Sequence, residues 1–118
     1  MRFSGVARKF SKLSFLKEVS SITSMNREDP ELSIVLPTYK EKENLAVFVP
    51  QIEAEFKNLS IEIIVVDDNS EDGTRELINE LNRAYHNIIL LERPGLLGLG
   101  SALRDGYNKA RGDYILSS

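Results

Sequence analysis

Two adjacent carboxylates, Asp67 and Asp68, close the apolar run EIIVV in EIIVVDDNSEDGT at 62–74. Two carboxylates at a strand end are costly to hold close unless each has partners. Successive strand side chains point to opposite faces, so the pair is expected to divide its work. One can accept hydrogen bonds from the N–H edge of uracil or guanine; the other can brace a neighbouring loop. A charged hydrogen bond of this kind contributes about 1.5–3 kcal/mol. Upstream, PTYKEKENL at 37–45 sets Tyr39, a flat face for stacking on a base, two residues before Glu41, an acceptor for sugar hydroxyls or base N–H groups. Pro37 breaks the strand ladder and fixes the exit of the chain. Downstream, Gly95, Gly98 and Gly100 precede Ser101 and a helical pattern. Glycines at a helix start let backbone approach a ligand, and the free N–H groups favour anions. The order G-x-x-G-x-G, placed after a third strand, is not the dinucleotide fingerprint. No Gly-Lys-Ser/Thr follows, so it is not a Walker loop either. A plainer reading stands beside each segment: a charged turn at 38–41, an acidic turn that caps the next helix, and glycines for close helix–sheet packing. His86, the sole histidine, precedes a strand away from these segments and reads as a surface loop residue.

These residues need a scaffold that brings strand ends together. Short runs rich in Ile, Val and Leu at Leu32–Leu36, Ile61–Val66, Asn87–Leu91 and Tyr114–Ser117 are apolar throughout and not alternating. Such runs suit parallel strands covered on both faces. Helical patterns at 43–58, 74–85 and 99–110 separate them, giving β-α-β-α-β-α-β and an α/β fold with a mostly parallel, Rossmann-like sheet. In open sheets of this type, ligands bind beyond the carboxyl ends of the strands. Asp72 or Ser70 is expected to cap the second helix, with Leu77, Ile78, Leu81 and Tyr85 on one face. Pro50 predicts a kink in the first helix or a start near Val49. Gly112 predicts the stop of the third.

The chain of 118 residues carries a net charge of −3 and no cysteine, so it has neither disulfides nor thiolate metal sites. Residues 1–27 hold six basic side chains against Glu18, a balance of +5. Residues 31–118 hold nine basic and fifteen acidic side chains, which argues against a nucleic-acid partner. Residues 1–30 form a basic, Ser-rich extension outside the α/β pattern. It is expected to be disordered, an interfacial helix with Phe3, Val6, Phe10, Leu13 and Leu16 at helical spacing, or a cleaved targeting segment. No apolar core of 7–15 residues marks a signal peptide, and no run of 18 apolar residues marks a membrane span.

Together SIVLPTYKEKENL, EIIVVDDNSEDGT and GLGSALRDGYNKARGDYIL resemble the family 2 glycosyltransferases of GT-A fold, nearest the dolichol- or polyprenyl-phosphate mannosyl- and glucosyltransferase branch. The likeness covers residues 31–118. It implies that Pro37, Tyr39, Glu41, Asp67, Asp68, Gly98, Gly100 and Ser101 lie in the nucleotide-binding half. It also implies a nucleotide-sugar donor such as GDP-mannose or UDP-glucose and a polyprenyl phosphate acceptor. The resemblance implies a cytoplasmic reaction at the membrane face. Residues 1–27 lie outside it, and their basic side chains are expected to make peripheral membrane contact if they form an interfacial helix. It implies Mg²⁺ or Mn²⁺ against the leaving diphosphate. The metal-binding Asp-x-Asp and the catalytic residues are expected downstream of Ser118.

Three departures accompany the resemblance: one is that the acceptor- and diphosphate-binding residues expected further along are missing from the sequence, and the other two are in its residues. Ser117-Ser118 stand where the Asp-x-Asp would begin, and Lys40 stands where the family usually has Asn. The alternative function is a truncated, non-catalytic nucleotide-binding module whose last strand, Tyr114–Ser117, would be a bare edge. A second alternative is a receiver-type signalling domain, to which EIIVVDDNSEDGTRELINEL is locally similar. Such a domain would need an Asp after Leu116 and would leave SIVLPTYKEKENL unexplained.

Overall fold

The computed structural model describes residues 5–8 and 29–117. Four parallel strands are flanked by helices: β2 (Leu32–Thr38), α1 (Lys42–Glu55), β3 (Ile61–Asp67), α2 (Thr74–Tyr85), β4 (Ile88–Glu92), α3 (Leu99–Lys109) and β5 (Tyr114–Ser117). A further strand, β1 (Gly5–Arg8), lies antiparallel to β5, and the sheet order is β1-β5-β2-β3-β4. The expectation of disorder or helix for the whole extension therefore fails at Gly5–Arg8, and β5 is not a bare edge. Backbone pairing explains both: β5 exposes a row of N–H and C=O groups, and a passing segment satisfies them. Residues 1–4 and 9–28, with the rest of the expected interfacial helix, lie outside the described residues.

The apolar runs are buried on both faces. Ile34, Leu36, Ile63 and Val65 face α1 and α2, meeting Leu45, Val49, Ile52 and Ile78. Val35, Ile64, Val66 and Ile115 face α3, meeting Ala102 and Ala110. Leu77, Leu81 and Tyr85 pack beside Ile78, as the spacing predicts.

Three local expectations differ. Helix α1 starts at Lys42 and runs through Pro50, which rules out the later of the two expectations there, a start near Val49. An interior proline costs about 3 kcal/mol. Burial of Leu45, Val49 and Ile52 at about 1.5–3 kcal/mol each outweighs it. Helix α2 has Gly73 as its N-cap, in a left-handed conformation (φ 91°). Asp72 still serves the helix start: its Oδ1 accepts from Thr74 N at 3.2 Å and from Thr74 Oγ1. Those bonds, from Thr74 first, hold the Asp72 carboxyl below the usual carboxylate range. Helix α3 ends at Lys109, and Gly112 is not its stop. Gly112 is small because β2 passes against it: a Cβ there would lie 2.6 Å from Ser33 N. Its N–H donates to Ser33 Oγ (2.8 Å), which donates to the buried Glu62 carboxylate (2.6 Å).

Candidate nucleotide-binding site

Parallel register sets the ends of three strands level. Thr38 is paired with Asp67, and Asp67 with Glu92. The loops that follow leave the sheet side by side at its carboxyl edge.

Asp67 and Asp68 divide their work as strand alternation predicts. Asp67 is the brace. Its carboxylate accepts from Ser70 N (3.1 Å) and Ser70 Oγ, and Ser70 Oγ accepts from Lys40 N (2.7 Å). The β3–α2 loop is thereby fastened to the β2–α1 loop. Lys40 sits in the left-handed region at φ 54°, where Asn is tolerated better than Lys.

Asp68 turns the other way. With Pro37, Thr38, Tyr39, Glu41, Leu96, Leu99 and Ala102 it lines one cavity of about 150 Å³. Tyr39, Glu41 and Asp68 therefore share one lip of the sheet. Tyr39 is 39% exposed, and Lys40 Nζ lies 5.3 Å from its ring centre. Thr38 is buried, and its Oγ1 has no hydrogen-bond partner. A buried hydroxyl left unpaired loses its hydration without return. Two larger hollows, of about 500 and 580 Å³, lie at the opposite end, around the strand starts Ile61 and Ile88. A third, of about 280 Å³, lies at the carboxyl edge between Asp67, Asn69, Glu71 and Glu92. The smaller cavity is the candidate because it stands at the carboxyl edge and alone of the two there joins an aromatic face, Tyr39, to the carboxylates Glu41 and Asp68.

The residue that sequence reasoning missed is Arg93. It is 7% exposed, and all five N–H donors of its guanidinium are satisfied. Nε donates to Asp68 Oδ1 (2.6 Å), and Nη2 donates to Asp68 Oδ2 (3.0 Å) and Gly98 O (3.1 Å). Nη1 donates to Ser101 Oγ (2.7 Å) and Asp105 Oδ2 (2.9 Å). Asp68 Oδ2 also accepts from Leu97 N at 3.2 Å. The Arg93 guanidinium holds the Asp68 carboxyl below the usual carboxylate range despite burial, and Asp68 in turn raises the pKa of Arg93. Gly98, Gly100 and Ser101 do not line the cavity; they form the turn that carries Leu96 and Leu99 to it. Gly98 needs its glycine for φ 98°, whereas Gly100 has open space around it. His86 is exposed and ends α2, away from this edge.

A family model described as glycosyl transferase family 2 matches residues 33–117. The chain belongs to that family. It is 39% identical over 86 residues to a dolichol-phosphate mannosyltransferase of Pyrococcus furiosus, covering 73% of this chain and 24% of the relative. A dolichol-phosphate mannosyltransferase of Mycosarcoma maydis is 33% identical over 93 residues (74% and 32% covered). A dolichyl-phosphate beta-glucosyltransferase of Trichomonas vaginalis is 33% identical over 92 residues (72% and 28% covered). The chain thus spans a quarter to a third of the length of these relatives. Among solved structures, S. aureus TarS superposes with a TM-score of 0.61 at 27% identity, over 75% of this chain and 26% of that one. Mannosyltransferase PcManGT from Pyrobaculum calidifontis, solved with GDP-Man and Mn²⁺, gives 0.56 at 18% identity, over 84% and 32%. The family match begins at Ser33 and takes in SIVLPTYKEKENL, which a receiver domain leaves unexplained.

Proposed function

We propose that this glycosyltransferase chain supplies the nucleotide-gripping half of a hexosyltransferase. The enzyme would take mannose or glucose from GDP-mannose or UDP-glucose and transfer it to a polyprenyl phosphate. The observation that carries this reading is the meeting of Tyr39, Glu41 and Asp68 at one cavity on the carboxyl edge of the sheet. Tyr39 would stack on the base. Glu41 would accept from the ribose or the base. Asp68 presents an ionised carboxylate whose Oδ1 accepts a single hydrogen bond, from Arg93 Nε, while Oδ2 accepts from Arg93 Nη2 and Leu97 N. Thr38 Oγ1 is a further group in want of a partner.

The described residues do not form a metal centre. Among them no group of three or more His, Asp or Glu side chains could hold an ion. Asp67 is engaged by Ser70 and Asp68 by Arg93. No step is therefore routed through Mg²⁺ or Mn²⁺ on these side chains. A phosphate acceptor is already anionic near neutral pH and needs little help from a general base, so none is assigned. No helix among the described residues is long and apolar enough to cross a membrane. Peripheral contact with the cytoplasmic membrane face falls to the basic residues 1–27, where each cation near an anionic leaflet contributes about 1 kcal/mol.

The test is calorimetric titration of residues 1–118 with GDP and with UDP. At least one should bind, and Tyr39→Ala or Glu41→Ala should weaken it about tenfold, the scale of one lost stacking contact or charged hydrogen bond. Binding of neither nucleotide, or full affinity in both variants, would overturn the proposal.

A further inference from the structure

We propose that Arg93 is a positioning residue for nucleotide recognition, fixing how Asp68 and the first turn of α3 face the cavity. This rests on the nucleotide reading of that cavity. Arg93 follows β4, and its own N–H donates to Asp67 O at 2.8 Å, so its backbone is tied to the end of β3. From there one side chain reaches four sites on three segments: Asp68 at the end of β3, Gly98 in the turn, and Ser101 and Asp105 on α3. The fork grips both oxygens of Asp68, which leaves its carboxylate one orientation. Glu41 lines the same cavity, and no described side chain pairs with it. Besides the fork, the turn is held by Leu97 N on Asp68 Oδ2 (3.2 Å), itself an atom the fork fixes, and by the exposed, long bond from Asn69 Nδ2 to Pro94 O (3.4 Å). Gly98 and Gly100 meet nothing within 4 Å where a Cβ would stand, and Leu96, Leu97 and Leu99 are 67%, 54% and 63% exposed. Without the fork, the wall formed by Leu96 and Leu99 would keep only those two weaker ties.

Lysine separates charge from shape, since an ammonium keeps the charge but cannot grip a carboxylate in parallel bonds. In the full 118-residue chain, Arg93→Lys should weaken GDP or UDP, whichever binds, by tenfold or more. The carboxyl ¹³C signal of Asp68 should then titrate at a higher pH than in the unaltered chain. The amides of Leu96–Ser101 should exchange with solvent faster. Unchanged affinity in Arg93→Lys overturns the proposal, and so does an unchanged Asp68 titration with unchanged exchange. If the unaltered chain binds neither nucleotide, the nucleotide reading fails, and a role for Arg93 in recognition falls with it. Titration and exchange then show whether Arg93 still orders the turn. If Arg93→Lys does not fold, the pair Ser101→Ala with Asp105→Ala removes both partners of Nη1 and leaves the Asp68 fork in place. That pair should speed exchange at the turn and weaken nucleotide several-fold; wild-type behaviour in both overturns the proposal. Arg75→Ala is the control. It breaks only the exposed pair with Glu92 and should leave all three readouts unchanged.

Discussion

Replacing Gly106 and Gly100 by alanine should move stability in opposite directions, although both sit in the same helix. Alanine in a helix interior is ordinarily better than glycine by about 0.5–1 kcal/mol. At Gly106 a Cβ would overlap Val35 Cγ1 and stand 3.2 Å from Val66 Cγ2. Both valines are fully buried in strands, where a β-branched side chain is stiff at χ1 and cannot turn aside. Helix α3 would have to lift from the sheet. Overpacking of this kind costs about 1–3 kcal/mol, which exceeds the propensity gain and leaves a net loss of about 1–2 kcal/mol. For a domain of this size that lowers the melting temperature by roughly 5–15 °C. At Gly100 nothing lies within 4 Å of the same atom and the backbone is not left-handed. Gly100→Ala should therefore raise the melting temperature by about 2–5 °C. Far-UV circular dichroism on both variants reads the two signs directly. A rise in the Gly106→Ala variant would refute the seating of α3 on Val35 and Val66.

Asp68→Asn removes the buried ionised partner of Arg93 and leaves only the part-exposed Asp105, so it should destabilise the chain by about 2 kcal/mol at pH 7 in urea unfolding. Because the carboxyl is held lower in the folded chain, its contribution is complete above about pH 4 and fades as pH falls through the folded value. The two proteins should therefore converge below that range. Glu53 behaves in the opposite sense. Burial raises its pKa, with the bond from Asn87 only partly opposing, so its folded form is favoured at low pH and penalised as pH rises. Glu53→Gln should raise the urea midpoint at pH 7 and leave it unchanged at pH 4. Lys40→Asn keeps the N–H bond to Ser70 and relieves a left-handed lysine, so it should add about 0.5 kcal/mol by the same measurement.

The order of strands and helices was legible because apolar runs and 3.6-residue stripes are local signals. That Asp67 and Asp68 point to different sides was legible from the alternation of a strand: one meets Ser70, the other Arg93. Other features depend on neighbours far apart along the chain. Gly5–Arg8 carries no strand pattern, and its pairing exists because β5 offers an open ladder. Pro50 reads as a helix breaker until the buried Leu45, Val49 and Ile52 are weighed against it. Gly112 reads as a helix stop, although its smallness answers to Ser33, 79 residues away. Arg93 is a single basic residue after a strand. Only the level ends of β3 and β4 put it within reach of Asp68.

That flush edge also makes the protein adaptable. Thr38, Asp67 and Glu92 form one shelf, held by buried strands whose register is independent of the loops beyond it. Segments hung from such a shelf can be lengthened or exchanged one at a time while the layers beneath stay as they are. Insertions in 39–41 or 94–97 would therefore alter the cavity at that edge without rebuilding the core.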